Sequence, residues 1–164
     1  MQQKSENTII ANIIGYKIKK IEYREVNHHF REFYYDGFDC FDFSINIQME
    51  NDIWWHLAWK DEEYFEFGEG HYPTNKHIVL DKIKTWDATE RWIHVSNQPI
   101  IDFKIMYIDS TGYIPSRVKL TFSNKKSTSI LIAEELDLGK KTITNIEFKM
   151  SGVIFVIHNE KILR

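Results

Sequence analysis

Several residue types that shape small proteins are scarce in this sequence. The 164 residues include one cysteine, Cys40, so no internal disulfide can form, which argues against a secreted, disulfide-stapled scaffold. Only three prolines and seven glycines are present, so turns must be built largely from Asn, Asp, Ser and Lys. No apolar run approaches the roughly 18 residues of a membrane helix, and the polar first residues do not resemble a signal peptide. The sequence therefore predicts a cytoplasmic protein with no membrane partner.

The remaining composition is that of an ordinary folded protein. Hydrophobic residues make up 43% and charged residues 27%, which predicts a folded core rather than disorder. The length fits one domain, and no linker or low-complexity tract divides the chain. We therefore expect residues 1–164 to form a single domain.

Apolar residues recur at every second position over much of the chain, as in strands with one buried face. The clearest stretch, 41–49, alternates Phe41, Phe43, Ile45, Ile47 and Met49 with polar residues. Further strand-like stretches lie at 53–59, 64–69, 101–107, 118–122, 127–133, 146–150 and 153–158, the last being apolar enough for a central strand. The sequence predicts a mainly β fold with a minor α+β character, in which antiparallel meanders form a sandwich or barrel-like core of roughly 8–9 strands.

One or two short helices are expected beside the strands. Residues 5–14 place four isoleucines on one helical face ahead of Gly15, and residues 87–97 begin with a capping-like Asp87 and Glu90. The stretch 16–26 fits a strand if a bulge near Lys19 and Lys20 corrects its facing, and a helix is the alternative. We favour the strand because the stretch is rich in β-branched and aromatic residues.

The two halves of the chain also resemble each other. The spacing of Ile18, Ile21 and Tyr23 recurs in Ile100, Phe103 and Ile105. Each set follows a candidate helix and precedes an alternating strand, an asparagine-bearing turn and a returning strand. An internal repeat is one explanation, and the general similarity of hairpin meanders is the other.

The charge distribution is uneven. Between positions 32 and 69 the sequence has eleven acids and one base, Lys60, which gives −10. Because the whole chain carries −3, the remaining residues sum to +7. The acids are Glu32, Asp36, Asp39, Asp42, Glu50, Asp52, Asp61, Glu62, Glu63, Glu66 and Glu69. Such a segment is either the solvated face of a meander or a surface that attracts a basic partner.

Tryptophan is abundant, with five residues at positions 54, 55, 59, 86 and 92. The adjacent Trp54 and Trp55 must project to opposite faces of a strand, so both cannot enter the same core. Either a second packed layer covers the tryptophan on the outer face, or Trp54 is exposed and suits a protein interface or a ring-stacking platform. Trp54 and Tyr72 are therefore candidate anchors beside the acids.

Motifs for catalysis or cofactor binding are missing from the sequence. The spacings HExxH, CxxC, GxSxG and GxGxxG do not occur, so we expect no metal, no cofactor and no assigned catalytic residue. His71, near Glu66 and Glu69, lies in a predicted loop and reads more readily as a loop histidine than as an acid–base group. The lysines and arginines are thinly spread, so we expect no nucleic-acid partner.

We expect a non-enzymatic binding protein, although enzymatic activity stays open. In general character, being β-rich with an acidic face and no catalytic set, the chain is similar to the small immunity proteins of bacterial toxin systems. That similarity implies a basic protein partner and assigns no residues. The predicted partner-binding residues are Trp54, Asp61, Glu62, Glu63, Glu66, Glu69, His71 and Tyr72. The alternatives are a β-barrel or sandwich with an aromatic pocket for a small ligand, and a hydrolase with a carboxylate or His–carboxylate site.

Overall fold

The structure, a computed structural model, describes residues 2–25, 38–60, 64–72, 83–107, 115–135, 146–147 and 153–158. Its helices are α1 (Gln2–Ile13) and the one-turn α2 (Ile93–Ser96), which follows a 3-10 helix (Thr89–Trp92). Its strands are β1 (Ile18–Glu25), β2 (Phe38–Phe41), β3 (Ser44–Met49), β4 (Trp54–Lys60), β5 (Tyr64–Glu69), β6 (Lys84–Asp87), β7 (Ile100–Tyr107), β8 (Pro115–Phe122), β9 (Ser127–Glu135), β10 (Ile146–Glu147) and β11 (Val153–His158).

The strands form two antiparallel sheets. The first sheet has the order β5-β4-β3-β1-β6, and the second has the order β2-β11-β9-β8-β7, with β10 added beside β9. The prediction of a mainly β fold is confirmed, and the two sheets form a sandwich rather than a closed barrel. The number exceeds the roughly eight or nine expected because the stretch 41–49 contributes to two strands, β2 and β3, and because β6 was not predicted. Of the predicted strand 146–150, residues 148–150 lie outside the described residues.

Aromatic and branched side chains from both sheets fill the space between them. Trp55 on β4 is fully buried, and its ring lies 5.4 Å from that of Phe103 on β7 in the opposite sheet. Phe67 on β5 contacts the same phenylalanine ring at 5.4 Å. Isoleucines 9 and 13 of α1 close this core, which explains why one face of that helix is apolar.

Most local predictions agree with the structure. The first predicted helix is α1, and the second is the 3-10 helix followed by α2. Residues 18–25 form a strand whose pairing with β3 shifts between Ile18 and Lys20, so the predicted bulge is present. The strand β11 lies between β2 and β9, which confirms its central position. Neither helix in the described ranges is long and apolar enough to cross a membrane.

The expectation of one continuous strand over 41–49 is wrong. The chain bends at Asp42 and Phe43, so that β2 belongs to the second sheet while β3 belongs to the first. Phe41 therefore pairs with Ile154 of β11, whereas Ile45 pairs with Tyr23 of β1. Phe41 and Ile45 both enter the main core, whereas Phe43 at the bend packs with Ala58 and Tyr72 in a separate cluster. Periodicity alone cannot reveal such a change of sheet.

The two halves of the chain share one local arrangement. Ile18, Lys20 and Ile21 pair with Met49, Gln48 and Ile47 across a bulge. Their counterparts in β7 and β8 show the same register with the same one-residue shift: Ile100 pairs with Phe122, Asp102 with Thr121, and Phe103 with Leu120. The resemblance seen in the sequence is thus present in the pairing of the strands.

The turns that follow β3 and β8 match atom by atom. In the first, Met49 N donates to Ile53 O (2.8 Å) and Asp52 N to Met49 O (3.0 Å), while Asn51 Nδ2 donates to Asn12 O (3.0 Å) of the preceding helix. In the second, the corresponding donors are Phe122 N (2.9 Å), Lys125 N (2.8 Å) and Asn124 Nδ2, which donates to a carbonyl of α2 (3.3 Å). The turn asparagine thus ties each hairpin to the helix before it.

The matched turns generate a prediction about backbone strain. Asp52 and Lys125 occupy the same turn position, and each has a φ of 65°. This left-handed conformation is unfavourable for any residue with a Cβ atom. We expect Lys125→Gly to raise the free energy of unfolding by about 0.5 kcal/mol, because the strain outweighs the added chain entropy, and Lys125→Val to lower it. Urea denaturation measures both. Lys126→Gly is the control and should be destabilising; equal effects at 125 and 126 would contradict this account.

Candidate binding face

The outer face of the first sheet, which points away from the second sheet, is polar but largely covered. Ser44 and Asn46 of β3 are fully buried there, and His56 of β4 is 4% exposed. The covering segment is 70–72, which follows β5 and folds back over the strands. Buried polar groups must be hydrogen-bonded, so this segment is held by specific contacts.

Asn46 fixes the covering segment to the sheet. Its side-chain oxygen accepts a hydrogen bond from Tyr72 N at 2.6 Å, and its amide nitrogen donates to Tyr72 O at 3.0 Å. Arg24 Nη1 donates to the same carbonyl at 2.8 Å, and the Tyr72 hydroxyl donates to Trp59 O at 3.1 Å. The Tyr72 side chain is consequently buried, at 5% exposure, and supports the face rather than projecting from it.

A group of charged side chains lies beside this segment. His71 Nε2 is 2.7 Å from Glu22 Oε2, a bond that requires the histidine nitrogen to donate. Arg24 Nη2 lies 3.4 Å from the same oxygen, and Lys20 Nζ lies 2.8 Å from the other. Burial opposes ionisation of Glu22, but the hydrogen bonds from Lys20 and His71 outweigh it and hold the pKa of Glu22 below its usual range.

Trp54 and His71 form the accessible part of the face. The Trp54 ring meets the His71 ring edge-on at 4.6 Å, and the histidine side chain is 37% exposed. Because Glu22 orients the histidine, the indole packs against a ring in a fixed position. Glu69, at the end of β5, is also exposed, but it pairs with Trp55 and so lies on that residue's side of the sheet rather than on the side of Trp54.

His56 and Gly68 form a close cross-strand pair on the same face. His56 Nδ1 donates to Gly70 O at 2.9 Å, which aims Nε2 at β5, where Glu66 Oε1 lies 3.8 Å away. A Cβ at Gly68 would lie 2.6 Å from that nitrogen. Glycine at position 68 therefore makes room for the imidazole ring.

The structure brings together some of the predicted site residues and separates others. Trp54 and His71 lie together and Tyr72 is buried, while Glu66 and Glu69 stand on β5 with their side chains on opposite sides of the sheet. Asp61, Glu62 and Glu63 lie outside the described residues. They connect Lys60 and Tyr64, which face each other six residues, or roughly 20 Å, along the hairpin from Trp54.

Sequence reasoning missed Glu22, Arg24 and Asn46, which build the face from two other strands. Their signal in the sequence was their position on the polar side of β1 and β3. It also missed that bases from β1 neutralise part of the acidic segment: Lys19 Nζ lies 2.6 Å from Asp52. The −10 segment is therefore not one uniform acidic surface.

A second polar cluster lies at one end of the sandwich. Asp39 of β2 is fully buried, and one of its oxygens accepts hydrogen bonds from Arg91 Nε (2.9 Å) and Nη2 (2.6 Å). Its other oxygen accepts from the Tyr23 hydroxyl (2.8 Å), which in turn accepts from Trp92 Nε1 (2.7 Å). Burial and the adjacent Asp39 carboxylate raise the pKa of Tyr23 well above its usual value, so the tyrosine stays a neutral donor.

Two histidines border this cluster. His158 Nε2 lies 3.5 Å from Asp39, and the rings of His94 and His158 meet edge-on at 4.6 Å. Burial, with the neighbouring His158, lowers the pKa of His94 to about 4, which keeps that ring neutral at pH 7. Within the described ranges no three His, Cys, Asp or Glu side chains are arranged to hold a metal ion. The cluster therefore joins structural elements through a buried, charge-assisted network.

Glu25 is a buried carboxyl at the end of β1. Trp86 Nε1 donates to its Oε2 at 3.4 Å, while Oε1 has no hydrogen-bond partner among the described residues. Burial raises the pKa of Glu25 to about 7, and the nearby Asp42 carboxylate adds to the rise. The side chain thus titrates near neutral pH.

No protein-family model matches the chain, and no curated protein or solved structure matches it either.

The contact between His56 and Gly68 predicts a non-additive pair of substitutions. We expect Gly68→Ala to lower the free energy of unfolding by about 2 kcal/mol, because the new methyl group displaces the His56 ring from Gly70. In a His56→Ala background the same change should have less than half that effect, because the ring is gone. A double-mutant cycle by urea denaturation measures the coupling. Additive losses would mean that the close approach is not the cause.

The raised pKa of Glu25 predicts a pH-dependent stability. A carboxyl whose pKa is higher in the folded state contributes stability that is complete below pH 4.5 and is lost as the pH rises through about 7. Glu25→Gln removes this loss, so we expect it to raise the free energy of unfolding by roughly 1–3 kcal/mol at pH 8 and little at pH 4.5. Thermal unfolding across this range measures the difference. The exposed Glu90, changed to Gln, is the control and should leave the pH profile unchanged.

Proposed function

We propose that the protein is a non-enzymatic binding protein that holds an extended basic segment of a protein partner along β5. The observation that carries the proposal is the position of β5, which is an edge strand of the first sheet and pairs only with β4 among the described residues. Its hairpin, residues 54–72, has five carboxylates and one lysine. An edge strand offers unpaired backbone groups, and carboxylates beside it select a basic strand.

The acids are distributed along the edge rather than gathered at one point. Glu69 stands at one end of β5 and Glu66 three residues before it, and residues 61–63 lead into the strand. A partner in extended conformation would meet successive carboxylates with its own lysines or arginines. Long-range attraction of this kind raises the association rate and selects against acidic partners.

Trp54 and His71 would anchor one end of the partner segment. A half-buried tryptophan beside a fixed histidine supplies a large contact area at small loss of side-chain freedom, as in many interface hot spots. The buried Tyr72, the Asn46 clamp and the Glu22 ion pairs hold this platform in place before a partner arrives. A preformed platform lowers the entropic cost of association.

The chemistry of the face favours binding over turnover. Its titratable groups, Glu22, Arg24 and His71, are already bonded to one another and so are engaged in positioning each other. An immunity or inhibitor protein that occupies a basic toxin or nuclease in the cytoplasm would need this kind of surface.

A charge reversal at Glu69 and a truncation at Trp54 test the proposal. Immobilised wild-type protein is incubated with lysate of the source cells at low and high salt, and the captured basic protein is purified. We expect Glu69→Lys to weaken its affinity about 10-fold and Trp54→Ala about 30-fold, because one removes an attractive charge and the other an anchor. Titration calorimetry measures both.

The control is Glu90→Lys, which changes the net charge equally at an exposed position of the 3-10 helix, beyond β6. It should bind like the wild type. Equal weakening by Glu69→Lys and Glu90→Lys would reduce the effect to net charge alone. Capture of no basic protein at low salt would overturn the proposal.

A further inference from the structure

The strand β7 forms an open edge of the second sheet. Among the described residues it pairs only with β8, and its eight residues make it longer than β2 at the other edge, which has four. Ile100, at its start, exchanges hydrogen bonds with Gly15 and Tyr16 (2.8 and 3.0 Å). The open part of the edge therefore runs from residue 101 to residue 107.

This edge has few of the features that protect edge strands. Proteins block such edges with proline, bulges or several charges. The pairing of β7 with β8 is irregular at its two ends, between Ile100 and Asp102 and between Met106 and Tyr107, and no proline interrupts residues 101–107. Two apolar side chains are exposed along it, Ile101 at 54% and Met106 at 39%. An edge of this kind can pair with a strand from another molecule.

The strand is complementary in charge to itself. Asp102 and Lys104 lie on the same face, two positions apart, and their side chains form an exposed ion pair at 3.3 Å. In an antiparallel pair of strands, residues that lie opposite each other have their side chains on the same face of the sheet. When a two-fold axis relates two copies of one strand, opposed residues must therefore be an even number of positions apart. The axis then passes through a residue and not between two residues. An axis at Asp102 opposes two aspartates, and one at Lys104 opposes two lysines. Only the axis between them, at Phe103, opposes Asp102 to Lys104 twice.

We propose that β7 pairs antiparallel with β7 of a second copy of this chain, centred on Phe103, to make a symmetric dimer with one sheet continuous across it. The exposed ion pair within one chain contributes little, so exchanging it for two pairs between chains carries little penalty. Lys104 also faces Lys119 on β8, and an aspartate from the second copy would reduce the repulsion between these two lysines. Ile101 would lie opposite Ile105 of the second copy.

Sedimentation velocity over a concentration series tests the dimer. The wild type should shift from monomer to dimer as the concentration rises to about 0.5 mM, as expected for a short strand interface. Asp102→Lys and Lys104→Asp should each remain monomeric at that concentration, because each opposes like charges twice. Circular dichroism and the melting temperature check that both variants fold.

Two restorations make the test specific. The double variant with both changes should dimerise like the wild type, because lysine at 102 again opposes aspartate at 104. An equimolar mixture of the two single variants should form a heterodimer, although each alone does not. A wild type that stays monomeric at about 0.5 mM overturns the proposal. Dimerisation that neither single variant reduces overturns it as well, because the pairing would then lie elsewhere.

Discussion

The hydrogen bonds to the buried carboxylate of Asp39 connect the two sheets. Asp39 lies on β2 in the second sheet and receives hydrogen bonds from Tyr23 in the first sheet and from Arg91 on the 3-10 helix. Removing one partner of a buried ion pair leaves the other charge without compensation, at about 3–5 kcal/mol. Few of the apolar contacts in the core have a comparable requirement for one particular partner. Trp92 and His158 pack around the same carboxylate: Trp92 donates to the Tyr23 hydroxyl, and His158 lies beside Asp39.

Much of the fold could be predicted from the sequence, because alternating apolar and polar residues indicate which side of each strand is buried in an antiparallel sandwich. The bulge near Lys19 and Lys20 could be predicted because the facing of Ile18 and Ile21 cannot be reconciled without it. The change of sheet between Phe41 and Ile45 could not be predicted, because both strands face one core. The short strand β6 escaped for a different reason: four residues carry too little pattern. Local sequence thus specifies which side chains are inside, but not which sheet they join.

The candidate binding face was predictable only in part. Trp54 and Trp55 were expected to face opposite sides of their strand, and the structure agrees, since Trp55 is buried in the core and Trp54 packs against His71. Glu22 and Arg24 were not expected, because they are distant in sequence and become neighbours of His71 only when segment 70–72 folds back. Tyr72 was named as an anchor because it is aromatic and near acids, yet its hydroxyl and backbone are used to fasten that segment. Charge counted along the chain also overstated the acidity, since Lys19 of β1 pairs with Asp52 of the acidic segment.

The crossing of β2 into the second sheet has a consequence for how the chain folds. The two matched halves look separable, but Phe41 of the first half pairs with Ile154 near the end of the second. That contact closes a loop of more than a hundred residues, which lowers the rate of folding, because loop entropy is lost before the contact forms. A strand of the first half that pairs in the sheet of the second half ties the two halves together. The second half, expressed alone, would lack β2 at the edge of its sheet, whereas all five strands of the first sheet come from residues 18–87.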